Sequence, residues 1–309
     1  MEFFKKQTNI NFMGIRHQAL VLSTLLSVAA FALLAFRGLN FGIDFTGGVR
    51  IEVGYPVPVE LDEVRIALEK AGFSDLTVQH IGSAREVSIR MRPTEESSAA
   101  VSTRVLEALR DAQREVEMRS VEFVGPQVGQ ELTEQGFLAM IFALIGIMMY
   151  VWARFEFKLA VSSIIATAHD VVLVIGFFAL MQYPFDLTVL AAVLAVIGYS
   201  LNDTIVVFDR LRECFREMRR GTPLEIANAA INQTISRTLM TGVTTLLVLL
   251  SLYFFGGETL QPFSIALIFG VLVGTYSSIY VASATALAFG LTKQDLMPVK
   301  KEDLVDDLP

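Results

Sequence analysis

The chain has 309 residues, of which 53% are hydrophobic and only 18% charged, with a formal net charge of −7 and a mean hydropathy of +0.53. A soluble domain of this length is not normally so apolar, and the excess falls in stretches long enough to cross roughly 30 Å of hydrocarbon as helices. One cysteine excludes an intramolecular disulfide, three histidines without ligand spacing argue against a structural metal, and no basic patch interleaved with aromatics supports nucleic-acid binding.

In chain order, six spans are expected, at about 18–36, 136–153, 159–181, 187–208, 238–255 and 263–290. The first is preceded by Lys5, Lys6 and Arg16, but its apolar run is too long for a signal core, so a retained helix is expected. Lys and Arg concentrate in residues 1–17, in the 154–158 link and in the 209–222 link, whereas links 182–186 and 256–262 carry neither. By the positive-inside rule both termini are then cytoplasmic, with residues 291–309 forming a cytoplasmic tail. A multi-pass protein of the cytoplasmic membrane follows, with residues 37–135 as its one extracytoplasmic domain.

That domain opens with the segment FGIDFTGG. VRIEV then reads as a strand, VELDEVRIALEKAGF as an amphipathic helix, LTVQHIG and EVSIRMR as two strands, SSAAVSTRVLEALRDAQREV as a second helix and RSVEFVG as a last strand. The order β-α-β-β-α-β is that of the ferredoxin-like split unit, an α+β fold. The glycines of FGIDFTGG follow a span and do not start a helix, so they fit close turns better than a phosphate cradle.

Further on, Thr222-Pro223-Leu224-Glu225 is a capping box with proline at the first helical position. Apolar residues at helical spacing then predict an amphipathic helix over 223–237, lying along the cytoplasmic face and feeding the fifth span. In the last span Gly270, Gly274, Ser278, Ala282, Ala286 and Gly290 place a small residue at every fourth position. Such a ridge lets helices approach closely in lipid, either inside one chain or against another subunit.

Ionisable residues at membrane depth each need a reason, because one at the centre of a helix costs about 3 kcal/mol on insertion scales. His169-Asp170 falls near mid-span of the third helix, and Asn202-Asp203 lies in the fourth. Neighbouring helical residues point about 100° apart, so Asn202 and Asp203 cannot share one partner. Tyr199, Ser200, Val206 and Arg210 lie on the Asp203 face, and the two hydroxyls are expected beside the carboxyl. A carboxyl that loads and unloads a proton in a movable helix would couple to a proton gradient; the plainer alternative is a permanently protonated hydrogen-bond donor. His169-Asp170 reads equally as a relay or as a structural contact, and Arg237 as an interfacial anchor or a charge partner. Neither a second Gly-x-Gly-Asp aspartate nor a Gly-x-x-x-x-Gly-Lys loop exists, so no enzymatic reaction and no cofactor other than protons is expected.

The motifs FGIDFTGG, VEFVGPQVG, AHDV, IGYSLNDTIVVFDRLRE, QTISRTLMTGVTT and GTYSSIYVAS, in this order on this topology, resemble those of the SecF subunits of the SecD/SecF family, in the resistance-nodulation-division superfamily. The resemblance covers nearly the whole chain. It implies a six-helix bundle that pairs with six helices of a SecD-type subunit beside the Sec protein-conducting channel, and use of the proton motive force to draw preproteins across the membrane. It further implies Asp203 as the carboxylate of proton passage with Arg237 as its fifth-span partner, while Asn202, His169 and Asp170 lie in family motifs. Half of a small-molecule exporter and a passive scaffold are the competing readings.

Overall fold

A computed structural model describes residues 8–92, 98–111, 115–218 and 220–296. Lys5, Lys6, Arg219 and the tail beyond 296, which entered the charge argument, lie outside the described residues. Among the described residues, six helices are long and apolar enough to cross a membrane. The first is α1 (Arg16–Phe36), entered through a single 3-10 turn at Phe12–Ile15.

After α1 come a two-residue strand β1 (Asn40–Phe41) and a one-turn helix α2 (Ile43–Thr46). The α+β domain then follows: β2 (Gly48–Gly54), α3 (Leu61–Lys70), β3 (Thr77–Ile81), β4 (Ser83–Met91), α4 (Ser98–Asp111) and β5 (Glu117–Val124). The sheet order is β3-β4-β2-β5 with every neighbour antiparallel, the ferredoxin-like arrangement that the alternation predicts. Period-two alternation puts Val49, Ile51, Val53, Val87 and Ile89 on one face, buried under Val64 and Leu68 of α3 and Val101, Val105 and Leu109 of α4. Arg50, Glu52, Ser88 and Arg90 take the other face, which looks toward the helical bundle across a cavity of about 360 Å³.

α5 runs from Pro126 to Arg154, with proline in its first turn. It starts ten residues before the expected span at 136, so residues 126–135 are helix and do not belong to the α+β domain. At 1.5 Å per residue its 29 residues reach about 44 Å, longer than the hydrocarbon is thick. The polar first turns, with Gln127 facing Glu131 and Gln130 facing Glu134, form the projecting part.

α6 (Phe157–Met181) and the strand β6 (Pro184–Phe185) lead to α7 (Leu187–Glu217). The carboxylate of Asp186 caps α7 by accepting from the Val189 amide at 2.9 Å. α7 continues well past the expected end at 208, because Arg210 with Glu213 and Arg212 with Glu156 satisfy the charged turns beyond the apolar run.

α8 (Pro223–Phe255) opens with the capping box, both of whose hydrogen bonds are present. The expected separate helix at 223–237 is corrected here: it is the first part of this one continuous helix. No proline or glycine interrupts 224–241, so nothing in the chain makes a bend between the amphipathic and apolar parts. Its start is clipped to the N-terminal segment, where Asn228 accepts from the Met13 amide and Asn232 from the Ile10 amide, each at 2.9 Å. The last span is α9 (Gln261–Ser277), a π turn at Ser278–Ala282, and α10 (Ser283–Ala288).

Helices α6, α7 and the last span are about half buried, at 50%, 56% and 56%, whereas α1, α5 and α8 are 17%, 6% and 17% buried. The first three therefore form the centre of the bundle and the others its wall. α7 and α9 run parallel at close range: a Cβ added to Gly270 would meet Val196, one on Gly274 would meet Ser200, and Ser278 hydrogen-bonds Thr204. Each pair is offset by 74 residues, so the small-residue ridge lies along α7 within this chain.

Candidate functional site

The bundle joins the α+β domain through the FGIDFTGG segment. β1 pairs in parallel with β6, the Asp44 carboxylate accepts from the Leu187 amide at 3.0 Å, and the Thr133 hydroxyl donates to the Phe45 carbonyl. Gly48 has a φ of +128°, and a Cβ there would run into the Met91 carbonyl. Arg90 donates to the Phe41 carbonyl at 2.8 Å and to the Asn40 side chain at 2.6 Å. Burial, with the neighbouring Arg50 adding to it, lowers the pKa of Arg90 from its ordinary value, so these bonds compensate a desolvated cation. The segment is a structural joint, as its glycines imply.

Inside the spanning helices, Asp170 and Asp203 are buried carboxyls. Asp170 on α6 is fully inaccessible and saturated. One oxygen meets the His169 Nδ1 at 2.9 Å. The other accepts from the Ser277 hydroxyl of α9 at 2.7 Å and from the Ser200 hydroxyl of α7. Three helices thus converge on one carboxyl. The Thr204–Ser278 bond continues the polar seam, and Ser278 also donates to the Ser200 carbonyl.

Asp203, three residues along from Ser200 on α7, is 3% exposed. Its Oδ2 is buried and has no hydrogen-bond partner. The Thr238 hydroxyl of α8 and the Tyr199 hydroxyl are in the same condition. Ser200, expected beside Asp203, is turned to Asp170 instead, because the close α7–α9 approach at Gly274 points it into the bundle centre. Arg210 is engaged with Glu213 and Gln233. Buried polar groups are normally hydrogen-bonded, so an unmatched carboxyl oxygen at membrane depth is unusual; His169 Nε2, on the far side of the imidazole from Asp170, is also unmatched.

The remaining candidates are placed apart. Arg237 is exposed on α8; it acts on Asp203 electrostatically, while Asp203 Oδ2 stays unbonded. Asn202 is exposed, about 100° round α7 from the buried Asp203. Gly270, Gly274, Ser278 and Ala282 are buried in the packed centre. Sequence reasoning passed over Ser277, Thr204 and Thr238. The signal was present in the paired serines of GTYSSIYVAS and in the threonine beside Arg237, but hydroxyls in spans usually bond their own helix and so draw no attention. At the basic end of the bundle, Arg154 forks onto Asp209 at 2.7 Å and Lys158 pairs with Asp295 at 2.8 Å. No cluster of three metal-ligand side chains occurs among the described residues.

The comparisons agree with this architecture. Residues 104–292 match the C-terminal domain of the protein export membrane proteins SecD/SecF, and residues 32–55 match the SecD/SecF GG motif. The protein translocase subunit SecF of Vibrio alginolyticus is 49% identical over all of this chain and 99% of that protein. SecF of Pseudomonas aeruginosa is 49% identical, covering 97% of this chain and 98% of that one, and SecF of Escherichia coli O157:H7 is 44% identical over 97% and 94%. Among solved structures, the translocon-associated membrane protein SecDF from Thermus thermophilus superposes with a TM-score of 0.85 at 36% identity, over 93% of this chain. A SecDF structure in a super-membrane-facing form gives 0.69 at 37% identity. The chain spans about 40% of the length of those two SecDF chains. By full-length identity and by the matched domains, the chain belongs to the SecF family of protein translocase subunits.

Proposed function

We propose that this SecF chain is a non-enzymatic, proton-coupled subunit that works with a SecD-type partner beside the Sec channel to help move preproteins across the cytoplasmic membrane. The observation that carries it is Asp203: a buried carboxyl with one oxygen free, in a helix at the centre of the bundle. A carboxyl already bonded on every side, such as Asp170, has to break bonds to change its proton; Asp203 has only to gain one. No cofactor beyond the proton is required. The drive is sufficient, since one charge crossing 100 mV is worth about 2.3 kcal/mol, enough to bias a two-state helix arrangement roughly fortyfold.

The exposed polar groups support a partner. Asn202 and Arg237 face outward from this chain at membrane depth, and such groups are costly against lipid, whereas a second helical bundle can satisfy them. The joined SecDF chains, of which this chain matches only about 40%, leave room for such a bundle. With both termini cytoplasmic, the α+β domain stands on the outer face, where an emerging preprotein would meet it.

The test is Asp203→Asn in the complex with its SecD-type partner, reconstituted in vesicles. Proton flux, read by an internal pH dye, should fall at least about tenfold, and gradient-stimulated export with it. Flux and export at the level of the unmodified complex would leave a passive scaffold as the better reading.

A further inference from the structure

Thr238 stands out among the hydroxyls of α8. Thr234, Thr241, Thr244 and Ser251 all return their hydroxyl to a carbonyl of the preceding turn, at 2.9–3.0 Å, the usual way a helix in an apolar medium satisfies them. Thr238 does not. It is 1% exposed, and its Oγ1 is buried without a hydrogen-bond partner.

Its position explains where it points. α7 and α8 are consecutive helices joined by a short link, so they run antiparallel. A Cβ on Gly242 would lie 3.7 Å from the Tyr199 hydroxyl, which sets the two helices in register at that level. One turn further toward the link, α7 presents Asp203 and α8 presents Thr238. On this register the carboxyl oxygen without a partner and the hydroxyl without a partner fall at about the same level of the α7–α8 contact.

We propose that Thr238 is a positioning residue for Asp203, the group on α8 that the carboxyl engages as its proton comes and goes. A hydroxyl suits this place because it both donates and accepts. It can donate to the ionised carboxylate and accept from the protonated acid, so the α7–α8 contact persists through the cycle. The other charged and titratable groups near this contact are Tyr199 on α7, whose hydroxyl lies at the level of Gly242, one turn away, and, across the Ser200 turn, His169 and Asp170 on α6; Arg237, next to Thr238 on α8, is exposed. Gly242, one turn away, gives the Tyr199 hydroxyl space beside the pair.

This inference rests on the proton-carrying reading of Asp203 and is separable from it. The experiment compares Thr238→Val, which keeps the shape and removes the hydroxyl, with Thr238→Ser, which keeps the hydroxyl, in the reconstituted complex, and Asp203→Asn serves as reference. The readout is the pH profile of proton flux, with co-purification of the partner as the control for assembly. Thr238→Val should lower flux about three- to tenfold at neutral pH and displace the profile by half a pH unit or more, and Thr238→Ser should restore both. If Thr238→Val does not assemble, Thr238→Ala is read in the same way. An unmoved profile in an assembled valine or alanine variant, with Asp203→Asn inactive, overturns the role of Thr238 alone. An active Asp203→Asn overturns the proton-carrying reading on which it rests.

Discussion

Asp170 and Asp203 lie in adjacent helices of one bundle and are equally hidden, at 0% and 3% exposed, yet they are treated oppositely. Asp170 collects Ser200, Ser277 and His169 from three helices. Asp203 keeps an oxygen bare. Burial alone therefore does not identify a functional carboxyl in a membrane bundle. The distinction is whether its hydrogen bonds are closed, because a closed set fixes structure and an open one allows a change of state.

The sharpest way to break this comparison is to remove each carboxyl in turn and measure stability separately from flux. Asp170→Ala strands two serine hydroxyls and an imidazole in the bundle centre and should cost roughly 3–5 kcal/mol, read as loss of the thermal transition and of partner co-purification. Asp203→Asn should leave the thermal midpoint within a degree or two while flux disappears. Equal loss of stability in the two variants would erase the distinction.

The centre of the bundle supports the same contrast from its packing. Gly270→Leu drives a side chain into Val196 where not even a Cβ has room, and overpacking of this kind costs up to about 3 kcal/mol. A matching change on the thinly buried wall, Leu247→Phe on α8, where Leu247 is 61% exposed, should be neutral in the same melting assay. At the joint, Arg90→Met removes the bonds to Phe41 and Asn40 and should cost about 2 kcal/mol, seen as faster amide exchange in β1 and β6 with the sheet core unchanged.

The smallest effect concerns the turn after the last span. Hydrogen bonds from Lys158 first, then from Thr292, hold the Asp295 carboxyl down to about 2. Its folded value is below the unfolded one, so its contribution is present above the unfolded range near 4 and is lost as pH falls through about 2. The group is partly exposed and its ion pair solvent-screened, which limits the effect to under about 1 kcal/mol. The amide protection factors of residues 291–296, exchange rates taken relative to the intrinsic rate at each pH, should therefore be constant from pH 7 to 5, and Lys158→Ala should lower them only slightly.

The topology was legible because each element carries its own period: apolar runs for the spans, alternation in VRIEV and EVSIRMR, and a capping box at Thr222. Boundaries were read less well where helices outlast their apolar run, as in the polar first turns of α5 and the charged last turns of α7. The site was half legible. Asp203 and Asp170 announce themselves as charges in hydrocarbon, but the clamp on Asp170 is made by residues 30 and 107 positions away, and serine is common in such helices. Thr238 is distinguished only by a bond that it does not make, which no sequence shows.

The most direct test of the division of labour is the acid-induced infrared difference spectrum of the reconstituted complex. It should contain a carboxyl stretching band that is abolished by Asp203→Asn and retained in Asp170→Asn. A band that survives Asp203→Asn and is lost with Asp170→Asn would contradict the assignment and move the proton to the saturated carboxyl.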